Sequence, residues 1–143
     1  MTPSPPRITY RQVKTPSIWF VALTGEHDLS TSHKVEAILA RAVASGDPVV
    51  VDLEYATFAD SSILGAVINA EKRAGPRGFA VVRPRRGDVA RQFQLVASRA
   101  MLLTFPTLRH AVQWFYPRFD AGPEDGRRSD ERRRAPSARG VRR

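Results

Sequence analysis

The architecture of the chain follows from residues 49–65, which read VVVDLEYATFADSSILG. The run from Val49 to Leu53 is short and almost wholly apolar, which is typical of a strand covered by helices on both faces. Asp60, Ser61 and Ser62 then supply side-chain oxygens that can cap the first turn of a helix. The helix is indicated by inward-facing apolar residues at helical spacing, which are Ile63, Leu64, Val67, Ile68 and Ala74.

On the N-terminal side of this stretch, the sequence predicts two strands and a helix. Residues 8–14 and 17–24 are rich in β-branched and aromatic side chains and flank a turn at Thr15–Pro16. We expect Gly25 to end the second strand. Apolar residues then recur at i, i+3, i+4, i+7 and i+8, and they are Val35, Ile38, Leu39, Ala42 and Val43. This spacing predicts a helix that ends near Gly46.

On the C-terminal side the alternation continues after a break at Gly75–Pro76. The further predicted elements are a strand at 79–83, a helix through Val89, Phe93 and Val96, a strand at 101–105 and a last helix from Pro106–Thr107 to Phe115. The predicted order is β-β-α-β-α-β-α-β-α, which favours a mainly parallel sheet with crossover helices. We therefore expect an α/β fold with four to five strands and about four helices, in which one strand near the N-terminus runs antiparallel.

The 143 residues, 42% of them hydrophobic, suit one folded domain. We expect a flexible lead-in at 1–7, a folded domain at 8–116 and a disordered tail at 117–143. The tail contains nine arginines and five acidic residues but almost no large apolar groups. It cannot offset a backbone ordering cost of about 1–2 kcal/mol per residue. The chain as a whole carries a net charge of +9.

Several classes of function are excluded or not expected. The absence of cysteine excludes disulfides and thiolate catalysis and fits a reducing cytoplasm. No apolar run is long enough to span a membrane, and no secretion signal is visible. His27 and His33 have no third ligand at a recognisable spacing, so we expect no metal site. Neither a G-x-S-x-G elbow nor a glycine-rich phosphate loop occurs, so we expect neither an enzyme nor a bound cofactor.

Two stretches resemble a known family. The first is the turn from Thr24 to Thr31, which reads TGEHDLST, and the second is the DSSILG segment from Asp60 to Gly65. Together they resemble the STAS domain, the fold of anti-sigma-factor antagonists and of the cytoplasmic tails of sulphate transporters. The resemblance covers about residues 8–116. Because the chain lacks a membrane segment, it is similar to the stand-alone bacterial antagonists, which act in the cytoplasm.

The resemblance implies a partner-switching role in a stress response. In that family the antagonist binds an anti-sigma factor that is also a serine kinase and thereby frees a sigma factor. The kinase phosphorylates a serine in the D-S-S segment, the complex separates, and a cognate phosphatase resets it. The match implies Ser62 as the phosphoacceptor, with Ser61 as the alternative. It also implies a partner-binding surface made of Glu26, Asp28, Asp60, Ser61, Ser62 and Ile63.

One residue departs from the family pattern. The family usually has a small residue after the two serines, whereas this chain has the β-branched Ile63. Ile63 either points inward and extends the apolar stripe of the helix, or it crowds the kinase's approach to Ser62.

A second hypothesis remains open from the sequence. The cluster Asp60-Ser61-Ser62 is equally a good helix cap, and many such caps are not phosphorylated. The chain would then be a STAS scaffold that is never phosphorylated, with the basic tail binding acidic partners or nucleic acid. Nucleic acid is not the expected partner, because the tail also carries acidic residues and no recognition motif accompanies it. We expect a monomer or a weak dimer.

Overall fold

The computed structural model describes residues 4–75 and 78–118. Its elements in chain order are β1 (Arg7–Lys14), β2 (Ser17–His27), α1 (Leu29–Ala44), β3 (Val49–Asp52), β4 (Ala56–Ala59), α2 (Ser61–Ala74), β5 (Phe79–Val82), α3 (Asp88–Ala100), β6 (Thr104–Phe105) and α4 (Leu108–Phe115). The chain divides into two compact units between Ala111 and Val112. The first unit contains all of these strands and α1–α3. The described part of the second unit is residues 112–118.

The sheet is mixed and mostly parallel, as the sequence predicts. Its main strand order is β1-β2-β3-β5-β6, and the short β4 pairs with the end of β2. β1 runs antiparallel to β2, whereas the other pairs are parallel. The chain therefore has the α/β fold expected from its alternating elements. Because β2, β3 and β5 are parallel, the loops that follow them all lie at one edge of the sheet.

The central strands and three helices form the core. Every residue of β5 is buried, as are Val49–Val51 of β3, which explains why these segments are continuous apolar runs. Three helices bury apolar residues in the same core cluster: Val35, Leu39 and Ala42 from α1, Ile63, Leu64, Ala66, Val67 and Ala70 from α2, and Val89, Phe93 and Ala97 from α3. Burial of one valine or leucine side chain contributes about 1.5–3 kcal/mol.

Two element boundaries and one additional strand differ from the sequence-based expectation. β2 does not end at Gly25 but continues to His27, because Gly25 adopts a φ of +81° and the strand goes on through a bulge to pair with β4. β4 itself was not expected. The predicted strand at 101–105 shrinks to Thr104–Phe105, because Met101 lies in the left-handed region and ends α3.

The structure describes part of the lead-in and the first two residues of the tail. In the lead-in, the carbonyl oxygen of Ser4 accepts a hydrogen bond of 3.1 Å from the Glu26 amide. Of the tail expected at 117–143, only Pro117 and Arg118 are among the described residues. The predicted disorder of the tail and its predicted contacts therefore fall outside the part that the structure describes. No helix within residues 4–75 and 78–118 is both long and apolar enough to cross a bilayer.

Candidate functional site at the start of two helices

Helix α2 begins with a cap that engages Ser62. A side-chain oxygen of Asp60 accepts hydrogen bonds from the Ser62 amide at 3.0 Å and from the Ile63 amide at 3.3 Å. The same oxygen accepts from the Ser62 hydroxyl at 2.6 Å. Ser62 is half-buried, whereas Ser61 is exposed. The cap therefore holds the Ser62 hydroxyl close to a carboxylate at the positive end of the helix dipole.

Helix α1 begins with the same arrangement. Asp28 accepts from the Ser30 amide at 2.9 Å and from the Ser30 hydroxyl at 2.6 Å. The bond from the Ser30 hydroxyl has the largest effect on the pKa of the Asp28 carboxyl and, together with the bond from the Ser30 amide, holds it below its ordinary value. The nearby His27 acts in the same direction. Asp28 is exposed. Its charge is thus maintained at the surface near neutral pH.

His27 links the starts of α1 and α2. Its carbonyl oxygen accepts from the Asp60 amide at 3.3 Å, and its side chain is completely buried. One ring nitrogen, Nε2, lies 2.9 Å from the Thr24 carbonyl oxygen, and Nδ1 lies 3.0 Å from the Thr31 hydroxyl. Because a carbonyl only accepts, Nε2 is the nitrogen that donates to Thr24. His27 thereby connects β2, the first turn of α1 and the N-cap of α2.

The structure brings five of the six sequence-predicted site residues to one edge of the sheet. They are Glu26, Asp28, Asp60, Ser61 and Ser62. Glu26 is exposed and pairs with Phe58 of β4, two residues before the α2 cap. Ile63 does not join this surface, because its side chain is completely buried in the core. Ile63 therefore points inward and presents no side-chain surface to a partner.

Three residues that sequence reasoning did not assign to the partner-binding surface lie at the same edge. Tyr55 and Phe58 are 52% and 44% exposed, although large aromatic side chains are usually buried. The Arg85 guanidinium lies over the Tyr55 ring, 5.6 Å from its centroid. The sequence contained one indication of them, because two large aromatics, Tyr55 and Phe58, lie within the short stretch between β3 and α2. Their exposure, and the approach of Arg85 from 30 positions away, are tertiary features.

The two histidines near the site, His27 and His33, both face other groups of the protein. Both ring nitrogens of His27 face protein atoms, and His33 lies on the exposed face of α1 near Glu36. In the described part of the chain, no group of three or more His, Asp or Glu side chains is arranged to hold a metal ion. The site presents hydrogen-bonding groups, exposed carboxylates and a serine hydroxyl.

A family model described as "Mlab, STAS domain" matches residues 12–101. The chain belongs to the STAS domain family. The match begins within β1, runs to the end of α3 and includes every residue of the candidate site. No curated protein sequence matches the chain.

Solved structures of similar fold agree with this assignment. An anti-sigma factor antagonist from Mycobacterium paratuberculosis is 24% identical, with a TM-score of 0.68 over 80% of this chain and 97% of its own. The anti-sigma factor antagonist SpoIIAA in its unphosphorylated form is 17% identical, with a TM-score of 0.64 over 80% of this chain and 100% of its own. The Bacillus cell fate determinant SpoIIAA in the phosphorylated form is 20% identical, with a TM-score of 0.56 over 75% and 97%. At these identities the likeness shows the STAS fold.

Proposed function

We propose that this STAS domain is an anti-sigma-factor antagonist. It binds an anti-sigma factor with serine-kinase activity in the cytoplasm, frees a sigma factor and is not itself an enzyme. Support comes from the two similar structures that are named anti-sigma factor antagonists, which this chain covers almost completely. Further support comes from the exposed acids and serine at the start of α1 and α2, which form a polar surface around a half-buried hydroxyl.

The proposed switch is phosphorylation of Ser62 by the bound kinase and its reversal by a cognate phosphatase. The observation that carries this proposal is the Ser62 hydroxyl at the first turn of α2, 2.6 Å from the Asp60 carboxylate and beside the exposed Ser61. A protein of similar fold, SpoIIAA, has been solved in both unphosphorylated and phosphorylated forms. The side chain of the adjacent Ile63 is buried in the core, so it does not crowd the approach to Ser62.

The physical effect of a phosphate on Ser62 follows from its surroundings. The group adds about −1.5 to −2 charges near neutral pH. The ester oxygen can no longer donate to Asp60, and the new charge lies beside that carboxylate. The helix end partly compensates, because its amides and dipole favour a negative group. A partner fitted to the neutral hydroxyl would have to bury an unpaired dianion, which costs several kcal/mol.

The experiment uses each serine-kinase anti-sigma factor encoded in the same genome. The full chain is incubated with each purified kinase and ATP, followed by intact-mass spectrometry and peptide mapping. We expect one kinase to add a single phosphate group to Ser62, with Ser62→Ala unmodified and Ser61→Ala modified as in wild type. Modification of Ser61 would instead identify the neighbouring hydroxyl as the switch.

Two further results would overturn parts of the proposal. Tight binding without phosphorylation would make the chain a STAS scaffold that is not a phosphoprotein. If none of these kinases binds or phosphorylates the chain, the antagonist role is refuted. Both results are read from the same samples, because complex formation is followed in parallel by analytical gel filtration.

A further inference from the structure

We infer that the partner-binding surface extends from the two helix starts across residues 53–58, which are the loop after β3 and the first part of β4, and across the loop at 83–87. We infer further that it fits an anti-sigma factor carrying an acidic patch beside an apolar pocket. This inference rests on the proposed function and specifies the chemistry of its partner. We call residues Arg83–Gly87 the arginine loop. It follows β5, and so it lies at the same edge of the sheet as the loops after β2 and β3.

Hydrogen bonds join the arginine loop to the candidate site. The Gly25 amide donates to the Tyr55 carbonyl oxygen at 3.1 Å, at the bulge of β2. One residue earlier, the Glu54 carbonyl oxygen accepts from the Arg85 amide at 3.1 Å. Glu54 is itself held by its amide, which donates to an Asp52 side-chain oxygen at 2.9 Å. The loop after β3 therefore bridges the end of β2 and the arginine loop, and the surface is continuous.

The middle of this surface has the residue types that dominate binding energy in protein interfaces. Tyr55 and Phe58 are about half exposed, and Arg85 stacks on Tyr55. Tyrosine and arginine are enriched among the few interface residues that carry most of the binding energy. Phe58 lies opposite Glu26 in the pairing of β2 with β4. An apolar pocket on the partner would cover these two rings next to the helix starts.

The charge of the surface changes sign along the edge. The arginine loop carries three cationic side chains, and those of Arg85 and Arg86 are exposed. The loop itself contains three arginines and no acidic residue, and Asp88, which directly follows it, pairs with Arg91 of α3. The opposite end of the edge carries the exposed Glu26 and Asp28.

This polarity favours a protein partner over a nucleic acid. Carboxylates on the partner would complement the arginine loop, and basic groups on the partner would complement Glu26 and Asp28. A nucleic acid lying along the same edge would bring phosphates against those two exposed carboxylates. Complementary charge of this kind mainly raises the association rate and selects the partner.

The test compares charge reversals on and off the surface. Arg85→Glu and Arg86→Glu are made in the full chain, with Arg99→Glu as the matched control. Arg99 is also exposed but lies in the last turn of α3, about 16 Å along the helix from its start. Binding is measured by surface plasmon resonance at low and moderate salt, with the anti-sigma factor that binds the wild-type chain. Thermal unfolding verifies that each variant is folded.

We expect each loop reversal to weaken binding at least tenfold, mostly through a slower association rate at low salt. Arg99→Glu should change binding less than twofold, and Phe58→Ala should raise the dissociation rate. Loop variants that bind like Arg99→Glu would overturn the inference and leave the proposed function intact. No binding by the wild-type chain would overturn both.

Two other occupants of the surface are checked with the same variants. A 20-base-pair DNA duplex that binds the wild-type chain, and loses affinity in Arg85→Glu, would replace the protein partner by a nucleic acid. A wild-type dimer in analytical ultracentrifugation that Arg85→Glu dissociates would replace it by a second copy of the chain. Either result would contradict the inference.

Discussion

The Asp60 amide donates to the carbonyl oxygen of His27 over 3.3 Å, and this bond joins the cap of α2 to the end of β2. The His27 ring continues the connection, because it lies 3.0 Å from the Thr31 hydroxyl in the first turn of α1. The two helix starts that form the candidate site are therefore held together through one completely buried residue. Buried donors and acceptors of this kind are costly to leave without a hydrogen-bond partner.

Replacement of His27 by phenylalanine should weaken this connection. The substitution keeps an aromatic ring but leaves the Thr24 carbonyl and the Thr31 hydroxyl without the ring as partner, at a cost of about 1–3 kcal/mol. We expect a lower free energy of unfolding in urea and faster amide exchange at Asp60. His27→Gln, which can donate and accept, should recover part of both losses.

A control separates this effect from general destabilisation of α1. Ser32 is the other buried polar residue among those described, and its hydroxyl donates to the Leu29 carbonyl oxygen within the same helix. Ser32→Ala should lower stability without a selective increase in exchange at Asp60. If His27→Phe leaves exchange at Asp60 no faster than Ser32→Ala does, His27 does not couple the two helices.

Substitution of Gly25 by alanine should displace the lead-in. Gly25 has a φ of +81°, and an added Cβ would overlap the Pro5 carbonyl oxygen and lie 2.8 Å from its carbon. The left-handed backbone alone costs about 1–2 kcal/mol for a residue with a Cβ. The overlap should add to this cost, since it involves backbone atoms. Urea unfolding measures the total.

Gly46 supplies the matched control for this glycine. Its φ is +85°, but an added Cβ would meet nothing within 4 Å. Gly46→Ala should therefore show only the backbone cost, and Gly25→Ala should be clearly less stable than Gly46→Ala. Equal losses of stability in the two variants would mean that the lead-in moves away from the added Cβ without lowering the free energy of unfolding.

The Asp28 cap predicts a difference in acid stability. Its pKa is lowered in the folded state, so the charged carboxylate stabilises the fold above the ordinary pKa of about 4, and this contribution is lost as pH falls through the lowered pKa. Asn caps helices well but carries no charge. The stability difference between wild type and Asp28→Asn should therefore be present at pH 6 and become smaller as the pH falls below about 4. Guanidinium unfolding across this range measures it, and a difference independent of pH would contradict the assignment.

Removal of residues 119–143 tests the role of the basic tail. The candidate site and the arginine loop both lie within residues 4–111, so the truncated chain should bind the anti-sigma factor within about twofold of the full chain at moderate salt. Isothermal titration calorimetry gives both affinities. A loss of tenfold or more would mean that the tail carries the interaction, as the alternative scaffold hypothesis requires.

The sequence predicted those elements whose pattern is set locally. The spacing of Val35, Leu39 and Ala42 and the apolar run at Val49–Val51 each correspond to a buried helix face or strand in the structure. β4 could not be predicted in this way, because its burial pattern does not alternate and its pairing depends on the bulge at Gly25. A strand of this kind is specified by the neighbouring edge of β2.

The candidate site was predictable only in part for the same reason. The caps at Asp28 and Asp60 depend on residues two or three positions away, so their presence could be inferred from the sequence. The burial of His27 depends on β4 and on the way α1 packs. The stacking of Arg85 on Tyr55 depends on the parallel arrangement of β3 and β5. Neither feature leaves a local pattern.

The affinity of Ser62 variants for the cognate anti-sigma factor decides whether the partner senses the charge at the start of α2. Dissociation constants are measured by isothermal titration calorimetry for wild type, Ser62→Ala and Ser62→Asp, all in the full chain. A negative group at the start of α2 should weaken binding by Ser62→Asp at least tenfold, or about 1.4 kcal/mol, while Ser62→Ala stays within about threefold of wild type. Equal affinities for all three chains would show that the partner does not sense this position and would contradict the account.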